Sequence, residues 1–68
     1  MRRTPVDSSN IRSIGYEAGT LEIEFNSGGV YQYYGVPVSV YNELMNTDSH
    51  GQYFHRNIKD VYDWEKMR

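Results

Sequence analysis

The sequence predicts an α+β domain: a three-stranded antiparallel β-meander followed by two α-helices packed on one face. Three observations predict it. The first third of the chain alternates apolar and polar residues with period two, and after Gly35 the apolar spacing becomes helical. The length, 68 residues, allows one domain near the lower limit at which a single hydrophobic core suffices. Residues 1–68 therefore read as a single unit, without repeats or linkers.

The strands come first. "IRSIGY" places Arg12, Ile14 and Tyr16 on one face. "TLEIEF" sets Leu21, Ile23 and Phe25 against Glu22 and Glu24, which form the wet side. "EAGT" between them supplies a glycine where a tight turn needs positive φ. Pairing Tyr16 with Leu21 puts Ile14 opposite Ile23, so apolar meets apolar across the hairpin.

The next connection, "NSGG", has type I turn chemistry and admits two registers. If Phe25 faces Val30, then Val30, Gln32 and Tyr34 join the apolar face. If a glycine bulge adds one residue, Phe25 faces Tyr31 and Ile23 faces Tyr33. The bulged register is the expected one, because it buries two tyrosines rather than a glutamine.

Beyond Gly35, Pro37 suits a first helical turn, and Val40, Tyr41, Leu44 and Met45 follow at helical spacing, with Asn46 as the stop. "SHGQ" matches a capping box, with Ser49 as N-cap and Gln52 reaching back. A second helix from about Ser49 should bury Phe54, Ile58, Val61 and Tyr62, and no glycine or proline ends it before Trp64.

Composition narrows the function classes. There is no cysteine, so neither a disulfide framework nor a thiolate metal site is available. Formal net charge is -2 and evenly spread, which argues against a dominant phosphate-binding face. One stretch differs: His50 to Lys59 holds two cations, two histidines and no acid. No apolar run is long enough to span a membrane and none follows Arg2-Arg3 as a signal peptide requires, so a soluble, cytoplasmic protein is expected.

"VDSSNIRSIGY", "LEIEFNSGGVYQYYGVP", "VYNEL" and "SHGQYFHRNI" resemble the KTSC domain, over about residues 5–62. The Tyr-x-Tyr signature of that family matches Tyr31-Gln32-Tyr33. Val36-Pro37, Ser49-x-Gly51 and the pair Tyr53-Phe54 fit as well, while His55 stands where the family commonly has asparagine. The module is named for the C-terminus of lysyl-tRNA synthetases and also occurs alone in small bacterial proteins, which this chain resembles. The resemblance implies no enzymatic activity, and it implies RNA contact only by association with a synthetase.

The candidate site residues carry competing readings. Tyr31 and Tyr33 are expected in the core, with Tyr34 the outward ring able to stack a base. On a helix, His55 and Lys59 share one face and Gln52 and Arg56 the next, so with His50 and the helix start near Ser49 to Gly51 they could hold phosphate. The bland alternative is a solvated helix face. His50 and His55 are five apart and point away from each other, so even with Asp48 no metal site is expected.

Ser8, Ser9, Ser49 and the histidines form no catalytic motif, and Gly28-Gly29 sits in a hairpin rather than in a phosphate loop. No catalytic residue, cofactor, small-molecule substrate or membrane partner is therefore expected. Two functions remain. One is RNA binding through Tyr34, His50, His55, Arg56 and Lys59. The other is interaction with another protein or with itself, through a sheet edge or the region of Trp64 and Met67.

Overall fold

The computed structural model describes residues 1–68. Its elements are β1 (Arg3–Pro5), β2 (Ile11–Glu17), β3 (Thr20–Phe25), β4 (Val30–Tyr33), α1 (Val38–Asn46), α2 (His50–Asn57) and β5 (Trp64–Lys66). All neighbours are antiparallel, in the order β1-β2-β3-β4-β5. The predicted meander is β2 to β4, but the sheet has five strands rather than three. The two additional strands are three residues each, too short to show a period. They are placed by pairing with distant strands, Arg3 opposite Gly15 and Tyr33 opposite Trp64.

The first hairpin has the predicted register, Tyr16 with Leu21 and Ile14 with Ile23. Its two-residue turn has φ of 49° at Ala18 and 84° at Gly19, the type I′ pattern. At the other end of β2 a bulge between Ile11 and Ser13 makes Arg12 the extra residue. Ile11 and Ile14 are consequently both buried, and Arg12 is exposed rather than sharing the apolar face.

The second hairpin adopts neither expected register. Ile23 faces Tyr31 and Leu21 faces Tyr33. The Phe25 amide bonds the Gly29 carbonyl, and Gly28, with φ of 102°, closes a turn from Phe25. The glycine device is the expected one, but the strands pair two residues closer together. A two-residue shift preserves the faces, so Tyr31 and Tyr33 still point toward the helices.

Pro37 caps α1, which buries Leu44, while Val40, Tyr41 and Met45 pack at the edge of the core. Ser49 caps α2 by accepting the Gln52 N–H at 3.3 Å; the Gln52 side chain does not reach back. The helix then stops at Asn57, well short of Trp64. The Phe54 carbonyl accepts from both Ile58 and Lys59, and Asp60 adopts a left-handed φ of 64°. Aspartate tolerates that conformation better than most residues, so the chain reverses without glycine or proline. Ile58 is buried, whereas Val61 lies past the reversal and is exposed.

Ile11, Ile14, Leu21, Ile23, Tyr33, Val36, Leu44, Phe54 and Ile58 form the core between sheet and helices. Burial pushes the Tyr33 hydroxyl up to about 12, assisted by the nearby negative charge of Asp60. The opposite face is less wet than expected. Glu22 is only 7% exposed there, because Arg3 on β1 bonds its carboxylate. Gln32 donates to the other oxygen at 2.8 Å. Desolvation raises the Glu22 pKa, but the hydrogen bonds from Gln32 and Arg3 and the Arg3 charge outweigh it and lower the net value. No helix is long and apolar enough to cross a membrane.

Candidate functional site

The helices cover the sheet unevenly. Over β4 and β5 they leave an open groove of about 970 Å³, walled by α2 on one side and ending at the β3–β4 turn on the other. That volume is near the top of the range for small-ligand pockets, roughly 300–1,000 Å³. Its floor is a row of rings. Tyr33 meets Phe54 at 5.4 Å, Phe54 meets Phe25 at 5.4 Å, and Phe25 meets Tyr31 at 5.5 Å. Tyr31 then meets Trp64 at 5.6 Å. Burial falls along this row, from Tyr33 at 5% exposed to Trp64 at 55%.

Tyr31 is not a free platform, since Phe25 and Trp64 flank its ring and the Lys66 ammonium sits 5.9 Å from its centroid. The ring surface open to a ligand belongs to Trp64. On the helical wall, His55, Arg56 and Lys59 are exposed and face the groove. With Arg56 and Lys59 against Asp60, the one acid among the lining residues, the groove is locally basic on an acidic chain. Glu22 and Glu24 lie on the other side of the sheet and do not oppose it.

Of the five residues nominated for nucleic-acid contact, the structure brings His55, Arg56 and Lys59 together. Tyr34 stands on the opposite side, its hydroxyl 3.2 Å from Gln32 Oε1 and 3.1 Å from Glu65 Oε1. His50 lies between the helices with Nδ1 2.8 Å from the Leu44 carbonyl, a contact that makes Nδ1 the donor. Of the motif residues, Tyr31 and Tyr33 floor the groove, Val36 and Phe54 are buried, and Tyr53 bonds Glu43. Pro37 and Ser49 cap the helices, and Gly51 approaches Asn10. Sequence reasoning did not place Trp64 in the groove, because that placement depends on β5.

A family model supplies the deciding observation: residues 7–62 match that of the KTSC domain. The chain belongs to the KTSC domain family. The crystal structure of a KTSC domain protein from Yersinia pestis matches with a TM-score of 0.94 at 40% identity, over 98% of this chain and 97% of that one. An uncharacterised protein of Stutzerimonas stutzeri is 43% identical over 61 residues, 87% of this chain and 86% of its own length.

A lysine–tRNA ligase of Trichormus variabilis is 44% identical over 63 residues, 90% of this chain. The KTSC chain spans only 11% of the length of that ligase.

Proposed function

We propose that this KTSC protein is a cytoplasmic binding module, not a catalyst, and that its groove takes single-stranded RNA as an accessory contact. One observation carries the reading: a largely exposed indole, Trp64, shares a groove with Arg56, Lys59 and His55. Stacking on an aromatic ring is sequence-tolerant and worth about 1–3 kcal/mol per base, and adjacent cations neutralise phosphate. A ligase that acts on tRNA carries a segment similar to this chain, which agrees with the reading.

Trp64 is the only tryptophan, so its fluorescence reports directly on the groove. Titration with a single-stranded RNA hexamer is expected to quench it, and the affinity should fall steeply with salt. Arg56→Glu with Lys59→Glu should weaken binding at least tenfold and reduce the salt slope by about two. Salt-independent binding, or binding indifferent to that double substitution, would remove RNA from the groove.

A second reading is favoured by the exposure of Val61, Trp64 and Met67 around the β5 edge. Strand pairing there would join two copies or dock another protein. It predicts a concentration-dependent mass in sedimentation with little salt sensitivity, and a strict monomer at high concentration eliminates self-association.

A further inference from the structure

The groove has two chemically different ends. Trp64, Arg56 and Lys59 mark one; Ser9, Asn10, Ser27 and Gln52 line the other. The side-chain amides of Asn26, Gln32, Asn46 and Asn57 all donate within the chain. Asn42 lies outside the groove on α1. Asn10 and Gln52 are exposed in the groove and neither spends its amide on the protein.

Their juxtaposition is built into the fold. A Cβ at Gly51 would stand 3.2 Å from Asn10 Nδ2, so the missing side chain lets the β1–β2 connection close on the first turn of α2. Asn10 is thereby held against the first turn of α2, where Gln52 follows Gly51 and lines the same groove. The Asn10 backbone is anchored independently, with its carbonyl accepting from the Asn26 amide at 2.8 Å.

We propose that Asn10 and Gln52 read the identity of one base, and that the base they prefer is adenine. The inference rests on the RNA reading above. Stacking and phosphate contacts hold any sequence, whereas discrimination requires hydrogen bonds to a base edge. A primary amide presents a donor and an acceptor in one plane, matching the N7 acceptor and N6 donor of adenine. Uracil and cytosine have no N7. The bound unit is then at least a dinucleotide: one base stacks on Trp64, its phosphate faces α2, and the neighbouring base meets the amides.

The test uses the whole chain and Trp64 fluorescence, with hexamers of adenylate, uridylate, cytidylate and 7-deazaadenylate. The adenylate hexamer should bind about tenfold tighter than the uridylate or cytidylate ones, and the 7-deaza hexamer should lose that advantage. In the double variant Asn10→Ala with Gln52→Ala, the adenylate-to-uridylate ratio should fall to about one, with unaltered circular dichroism confirming the fold. Equal affinities in the wild type, a preference that survives the deaza substitution, or one that survives the double variant overturns base reading while leaving RNA binding intact. No fluorescence response to any hexamer overturns the RNA reading and this inference together, and a response to polyglutamate alone assigns the groove to a protein partner.

Discussion

The β2–β3 hairpin and the β4–β5 pair belong to one sheet and face the same helices, yet they end in different environments. In the hairpin, Ile14, Leu21 and Ile23 are fully buried under α1 and α2. In the pair, Tyr33 is buried, Tyr31 is half-covered and Trp64 is more than half exposed. The apolar area on β4 and β5 is large, but two short helices do not reach across five strands. A chain of this size gains more from closing one end of the sheet completely than from covering all of it thinly. The uncovered end is where aromatic rings and α2 cations meet, which makes the groove a consequence of the unequal cover.

The sharpest way to break this contrast is to compare truncations at its two ends. Ile23→Ala removes a fully buried side chain and should cost about 2–5 kcal/mol, a large share of a total stability of about 3–10 kcal/mol. Urea unfolding followed by circular dichroism would report it. Trp64→Ala should cost only about 1 kcal/mol by the same measurement, since most of its ring is already in water. Labelled RNA hexamer should nevertheless lose at least tenfold in affinity for that variant. Equal stability losses at the two positions would mean that β5 belongs to the core and that the groove is not a distinct region.

The opposite face sharpens the comparison with an intermediate effect. Glu22→Gln keeps the shape but removes the charge that Arg3 and Gln32 hold, which should cost about 1–2 kcal/mol at neutral pH. The pH dependence has a definite sign. The folded Glu22 pKa lies below its ordinary 4.5, so its contribution is complete above about that pH and disappears as pH falls through the folded value. Glu22→Gln should flatten the acid limb of a stability-against-pH curve. Tyr33 acts at the alkaline end: its pKa is raised to about 12, so its contribution is intact below the ordinary 10.0 and lost as pH rises toward 12. An acid limb unchanged by the substitution would show that Arg3 does not hold Glu22 in solution.

The same two regions differ in how far they could be read beforehand. Alternation in "TLEIEF" and the match of Ile14 with Ile23 determined the first hairpin, because both signals are local. The Ser49 cap was equally legible. β5 was not, since "WEK" has no period and its strand partners on β4 lie more than thirty residues away. The placement of Trp64 beside Arg56 was lost with it. β1 did leave a trace in Gly15, within a strand, where a Cβ would meet the Arg2 carbonyl oxygen at 2.6 Å. Glycine inside a strand is a sign that another backbone comes close. Asp60 was a comparable trace of the early helix stop. The bulge at Arg12 had no such sign, because Ile11 fits either face by composition.

The smallest expected effect lies in the well-read hairpin and tests whether even that region is optimal. Ala18 occupies the first position of the type I′ turn at φ of 49°, a left-handed conformation that disfavours a Cβ. Asparagine tolerates it better and is the preferred residue before glycine in such turns. Ala18 is exposed, so the replacement meets no packing constraint. Ala18→Asn should therefore stabilise the domain by about 0.5–1 kcal/mol, raising Tm by about 2–8 °C in a chain of this length. Because the turn is remote from the groove, RNA affinity should not change. A lower Tm would mean that Ala18 does not hold the left-handed conformation in solution, and the two-residue turn that sets the Ile14–Ile23 register would have to be replaced by a longer one.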